Sequence, residues 1–429
     1  MRQLTIILLS LVGTVAGLRA QDLEDVVFDN YIYQENIASV TFRLEDLYLS
    51  LPVVNIDTRL PLLLEFDDLD GDVKDYTYTF VHCDQTWKPS NIAQLEYLDG
   101  FGEDRITNYS YSFKTLKEFT HYTVELPSRN MRWTKSGNYL LIIYEDEGSK
   151  VPVITRRFVV VDPRVRVDGN LVPTAQVSKS RTHHEIDFSV DYEKFPMRSP
   201  QQEVKATILQ NGRWDNAIIG LPPNFTRLNN VVFDYQDKIV FPAGKEYRYA
   251  DLRSFRLSGP SIAEIELSNE YYEVYLVPDQ PRDDQVYITR RDANGNFVIE
   301  TQDQNDWALS SEYAYVRFFY KTSAPFYDDE LYVFGGLSDW QIKPEFRLEY
   351  NAAINAYIGM ALLKQGYYEY EYVTVPRNRK KGERVKVSRE DTEGNWYETE
   401  NDYNVLIYYR PFGERYDQVI GSYTISSAN

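Results

Sequence analysis

Apolar and polar positions alternate with period two along most of this chain, in short runs separated by turn residues. From Val26 to Asp162 the runs are "ASVTFRLE", "YTYTFVHC", "HYTVELP", "NYLLIIYED" and "TRRFVVVD", broken by clusters such as "DLDGD" and "SGN". Alternation over four to eight residues rich in branched and aromatic side chains predicts half-buried strands. Asp162-Pro163 closes this series, because proline removes a ladder donor and biases the residue before it toward extended geometry. A second series fills Arg164 to Pro278, with a turn signal at Gln210-Asn211-Gly212. A third follows "DQPRDD", where Asn294-Gly295 is the strongest short hairpin signal. No stretch sustains a 3.6-residue apolar period; only "SNIAQLEYLDGF" predicts a short helix, starting at Ser90. The expectation is an all-β protein of three consecutive immunoglobulin-like or early-set sandwiches, divided as 21–162, 163–280 and 281–429. Short connections imply that the three pack at fixed angles.

The first residues set the address. Arg2, the apolar run "LTIILLSLVGTVAGL" and the small residues before Ala20 read as a secretory signal peptide, 1–20, too short for a comfortable membrane span. Export follows. The only cysteine, Cys83, has no internal disulfide partner and lies far from the leader, so neither a lipoprotein anchor nor a disulfide framework is expected. The chain holds 36 tyrosines, whose flat rings cover a pleated face while the hydroxyl reaches water. A net charge of −19 argues against nucleic acid and anionic lipid as partners.

Candidate chemistry is thin. His183 and His184 are neighbours on a predicted strand, so their side chains point to opposite faces and do not converge on one metal. His121 opens a strand with no second ligand beside it. His82 and Cys83 invite a nucleophile reading, but they too diverge, and no oxyanion loop accompanies them. The acidic "DLDGDVKD" lacks the glutamate that closes an EF-hand loop, and the basic "RNRKKGER", residues 377–384, reads as an exposed hairpin loop. No catalytic residue, metal or cofactor is expected, and no small-molecule substrate.

Several stretches, in this order, carry a family likeness: "HCDQTWKPSNIAQLEYLDGFGEDRITNYSYSFKT", "SGNYLLIIYED", "LQNGRWDN", "FPAGKEYRYADLRS", "RRDANGNF", "YVFGGLSDW" and "LLKQGYYEYEY". The set resembles the plug protein family of the type IX secretion system, over nearly the whole mature chain. The resemblance implies a non-enzymatic periplasmic protein. It would bind the very large outer-membrane β-barrel through which cargo leaves, without entering the membrane itself, and close its periplasmic opening when no cargo is present. Trp, Tyr and Arg dominate protein interfaces, which makes Trp87, Tyr97, Phe101, Arg213 and Trp214 the candidate partner contacts.

The third segment carries a different likeness. Gly336-Leu337-Ser338-Asp339-Trp340 and the later Gly366-Tyr367-Tyr368 resemble the framework of glycogen- and starch-binding modules, with Leu337 and Ser338 departing from that pattern. This implies an alternative function, a periplasmic or surface glycan-binding protein, with Trp340 and Trp396 as its sugar contacts.

Overall fold

Strand Tyr76–Cys83 is buried at all eight positions and Gly137–Asp146 at its first eight, so both faces of these strands meet protein. That burial explains the near-continuous apolar run "NYLLIIY". In the computed structural model, which describes residues 23, 25–146, 150–379 and 385–428, these two strands lie at the centre of the first unit. They sit in a six-stranded sheet with Lys150–Val161, Tyr31–Ile32, Asp104–Arg105 and Val53–Asn55. A four-stranded sheet, Ile37–Leu44, Leu62–Asp68, Thr120–Leu126 and Asn108–Tyr111, faces it. Phe66, Phe80, Tyr139 and Phe158 fill the space between them. The expected signal peptide and part of the basic stretch 377–384 lie outside the described residues.

The second unit pairs Arg166–Val172, His183–Asp191, Asn230–Phe233, Phe225–Arg227 and Val240–Pro242 in one sheet, over the core of Ile186, Phe188, Ile208 and Phe233. Its other sheet is assembled from distant parts of the chain. Val204–Gln210 pairs with Ile218–Leu221 on one side and with Asp402–Tyr409 on the other, in register from Val204 opposite Tyr409 to Gln210 opposite Tyr403. Gln418–Ser426 completes it. In the third unit, nine strands from Arg248–Asp251 to Gly366–Pro376 curl into a nearly closed, barrel-like sheet around Val316, Phe318, Tyr320 and Tyr372. Sheet membership therefore cuts across the expected limit at 280/281. The last two strands of the chain belong with the second unit's sheet, and Arg248–Asp251, Ile262–Leu267 and Tyr272–Leu276 with the third's.

The architecture is mostly β; among the described residues the helices are single turns of three or four residues. The turn expected to start a helix at Ser90 starts later, at Gln94–Tyr97, because Ser90 N–H donates to His82 O at 2.9 Å. Glu96 Oε1 instead accepts from Ala93 N–H and closes the first turn. Asn294-Gly295 turns as expected, with both residues at positive φ (55° and 78°). Its preceding arm forms no strand. Val286 and Ile288 are exposed, and Phe297–Ile299 pairs with Gly366–Tyr368 instead.

Phe66 is fully buried between Tyr76 and Tyr122, stacked on the latter at a 5.1 Å centroid distance. Phe66→Ala is expected to cost about 3–5 kcal/mol through lost contact and the cavity left behind, read as a lower urea midpoint at unchanged slope.

Candidate functional site

Three seams join the units, and each is built on charged or aromatic side chains withdrawn from water. The seam between the first and third units centres on Asp67, at the end of Leu62–Asp68. Its Oδ2 accepts from Lys364 Nζ at 2.6 Å and from Tyr313 O–H at 2.7 Å, and its Oδ1 lies 2.7 Å from His121 Nδ1. Asp67 and Lys364 side chains are each 1% exposed. Lys364 also donates to Ala308 O at 2.8 Å and sits 4.0 Å from the centre of the Phe119 ring. Ser39 bonds the same Tyr313 hydroxyl at 2.7 Å, and Glu312 accepts from the backbone N–H of Leu116 at 2.6 Å. Burial pushes the Asp67 carboxyl up, but Lys364 and His121 outweigh it and hold the group below the ordinary aspartate range. Burial likewise works against charge on His121, while its hydrogen bond to Asp67 and the nearby Glu65 carboxylate raise it above the ordinary histidine value.

At the second seam, the turn Gly336–Ser338 carries Asp339 and Trp340 in left-handed conformation (φ 55° and 57°). Ser338 is fully buried and bonds Gly335 O at 3.0 Å, a structural task for the residue that departs from the sugar-binding pattern. Asp339 reaches Arg156 of the first unit at 3.3 Å and Lys343 at 2.8 Å. Trp340 is covered by the Arg213 guanidinium of the second unit, 4.3 Å from the ring centre. Phe334 and Tyr247 meet the same ring edge-on. The approach is tight enough that a Cβ on Gly295 would stand 2.4 Å from the Trp340 ring. Arg213 is held by Asp215 at 2.7 Å and faces Glu371 at 3.6 Å. Burial works against its charge, but Asp215, Tyr247 and Glu371 keep it above the ordinary arginine value.

The third seam joins the first and second units. Trp87 and Trp214 meet edge to face at 4.8 Å, with the Arg157 guanidinium 4.6 Å from the Trp87 ring centre and 5.7 Å from that of Trp214. Trp87 owes its direction to a turn in which it adopts φ 65° and Asp84 Oδ1 accepts from Thr86 and Lys88 N–H. Across the same seam Asp417 Oδ2 accepts from Gln85 N–H at 2.8 Å, and Tyr408 O–H donates to Asn138 Oδ1 at 2.8 Å.

These seams absorb most of the expected contact residues. Trp87 and Arg213 are both 3% exposed and lie between units of this chain. Tyr97 is buried in the first core beside Tyr139 and His82. Trp214 is half-buried against Trp87. Phe101 alone of the five presents its ring to water, at 64% exposure. Sequence reasoning missed its neighbour Leu95, 73% exposed on the single helical turn that Gln94 Nε2 ties to Gly102 O. The signal was an apolar residue on a turn too short to hide it. Of the alternative pair, Trp340 has its ring in the second seam, while Trp396 stacks on Tyr287 and donates to Glu398 at 3.1 Å. They belong to separate aromatic clusters.

The remaining polar candidates are also occupied. His82 bonds Ser90 Oγ at 2.9 Å and Ser136 O at 3.2 Å, and burial pushes it down to about 4. Burial pushes the Cys83 thiol up, which opposes thiolate chemistry. His184 points inward to Tyr403 at 2.8 Å, while His183 bonds Thr182. In the acidic turn, Asp68 is bonded by Asn36, Tyr76 and the N–H of Asp70, with Lys74 at 3.1 Å.

Three outcomes follow from the seams. Lys364→Met leaves the Asp67 carboxylate buried without its cation and is expected to lower stability by about 3–5 kcal/mol, with part recovered in the double variant carrying Asp67→Asn. The contribution of His121, whose folded value is raised, is fully present below the ordinary 6.5 and is lost as pH rises through the folded value. That of Asp67, whose folded value is lowered, is fully present above 3.8 and is lost as pH falls through the folded value. Urea titrations across pH should therefore show the seam strongest between these limits, and His121→Gln should flatten the alkaline side. On starch gels the folded protein is expected to migrate without retardation, because Arg213 already covers the Trp340 ring.

Comparison with known proteins bears on the same architecture. No curated protein matches the chain significantly. Among solved structures, the crystal structure of a hypothetical protein from Parabacteroides merdae ATCC 43184 is similar over 94% of this chain and 100% of that one. The two share 30% sequence identity and a TM-score of 0.88. Residues 37–162, which hold most of the first unit, match the sequence model described as the type 9 secretion system plug protein first domain. The chain belongs to the type 9 secretion system plug protein family.

Proposed function

We propose that this protein is a periplasmic plug: it binds the outer-membrane barrel of the type 9 translocon and closes its periplasmic opening while no cargo occupies it. The family match over 37–162 carries this reading. The physical requirement is a body that is wide and stiff. A domain of about 100 residues has a radius of gyration of roughly 13 Å, so three β units held at fixed angles span far more than one. A loosely jointed chain of the same mass would leak around its hinges. Buried seams with ion pairs and packed indoles favour one relative arrangement, which suits a lid. No helix among the described residues is long and apolar enough to cross a membrane, and the protein reaches the outer membrane through its barrel partner.

The function so proposed is one of surfaces, without bond-making chemistry. Leu95 lies on the helical turn Gln94–Tyr97 and Phe101 in the segment after it, the two tied together by the Gln94 bond to Gly102 O. Exposed apolar side chains of this size are favoured anchors for a partner. Release for secretion requires that this contact be moderate.

The test is capture from solubilised outer membranes with the intact chain as bait. Recovery of a very large β-barrel is expected, and its absence from repeated captures would remove the reading. Leu95→Asp with Phe101→Asp is expected to weaken capture at least about tenfold while leaving the melting temperature unchanged. Trp87→Phe should leave capture intact, because its ring faces Trp214.

A further inference from the structure

Beside the Asp67 cluster, the seam between the first and third units opens into a cleft of about 670 Å³. Its walls are strand edges that lack a neighbouring strand, although Ile37 N–H donates to Gln34 O, Tyr368 O–H donates to Lys364 O, and the first edge is bulged between Ala38 and Thr41. Ile37–Leu44 is the terminal strand of its four-stranded sheet, and Tyr31–Ile32 is terminal in the six-stranded sheet. On the opposite wall, Ala356–Lys364 pairs with Arg347–Asn351 only as far as Ile358, so along Ala361–Lys364 it has a neighbouring strand on one side alone. Phe297–Ile299 is likewise paired on one side, to Gly366–Tyr368. Residues of all four edges line the cleft.

A strand edge presents a row of backbone N–H and C=O groups. Here these rows border a space lined by Ile32, Ile37, Leu337, Ile342 and Phe346. A hydrocarbon chain would fill the apolar space and leave the edges unanswered. An extended peptide answers both, with its main chain on an edge and alternate side chains in the cleft. The volume falls within the range of small ligand pockets, roughly 300–1,000 Å³. The cations of this wall are already engaged, since Arg156 and Lys343 both lie on Asp339, while the exposed Glu35 and Glu345 also line the cleft. The edges and the apolar lining are met by an uncharged segment.

We propose that this cleft receives an extended segment of another polypeptide, apolar at alternate positions, which adds as a strand to one of the unpaired edges. The proposal goes beyond sealing and does not depend on it. One wall comes from each unit and Lys364 ends one of the wall strands, so an occupant would also bridge the seam that Asp67 holds.

The probe is a capped peptide alternating threonine and valine over roughly six residues, added to the full chain, with two twins N-methylated on the valines or on the threonines. The parent peptide should bind, protect amides within Ile37–Val40 or Ala361–Lys364 from hydrogen exchange, and lose little affinity in high salt. One twin should bind at least about tenfold more weakly than the parent, because methylation removes the N–H groups on whichever side meets the edge. Leu337→Glu should weaken the parent to a similar degree; Ile342→Glu repeats that test from a neighbouring position if Leu337→Glu melts early. Equal binding of both twins, displacement of the parent by dodecanoate, self-association through these edges in place of peptide binding, or no binding at about 1 mM peptide would each overturn the proposal.

Discussion

A carboxylate with 1% of its side chain exposed, Asp67, meets an equally buried ammonium, Lys364, across the boundary between two units. Removing two such ions from water costs several kcal/mol each, and their attraction offsets this only in good geometry with the remaining donors satisfied. That condition is met by His121, Tyr313 and the Ala308 carbonyl. The pair adds little net cohesion, because separated units would return both ions to water. It acts on specificity. Any other docking of the first unit on the third would bury one charge without the other, and the apolar contacts of Leu69, Phe119 and Tyr313 around it would be lost as well.

The same reasoning extends to Arg213 and Arg157. Each is a guanidinium laid on indole rings at a boundary, with an acidic partner within 3 Å, Asp215 for one and Asp29 for the other. Planar guanidinium groups are the cations best suited to this, since they stack and stay charged when buried. The abundant tyrosines serve the interior in a related way. Tyr313, Tyr403 and Tyr408 bury their rings and direct their hydroxyls to Asp67, His184 and Asn138. A plug built from separately folded pieces would need such groups at every joint, and this chain has them.

Much of this was legible from alternation alone. The runs that read as strands are strands at "YTYTFVHC", "NYLLIIYED" and "YYEYEYVTV", because burial on one or both faces writes itself into residue type. The turns at Asn211-Gly212 and Asn294-Gly295 were readable because positive φ selects those residues. Long-range pairing was not. Nothing local in "YNVLIYYRP" says that it will lie beside Val204–Gln210, about 200 residues earlier, because strand register is decided by which faces remain uncovered after the rest has folded. The seams were harder still. Lys364 in "LLKQGYY" reads as an ordinary solvated lysine, and Trp87, Arg213 and Trp340 carry the composition of an interface. They do form interfaces, but between parts of one chain, and composition cannot distinguish an internal boundary from an external one. Phe101 and Leu95 differ from them only in exposure, which requires coordinates.

The central claim is that a stiff three-unit body closes the translocon's inner mouth, and entry of a bulky hydrophilic antibiotic into living cells tests it most directly. Cells lacking this protein should become permeable, cells supplied with the normal chain should seal again, and cells supplied with folded Lys364→Met protein should seal incompletely. Unchanged impermeability in cells that lack the protein but retain an intact barrel would contradict the account.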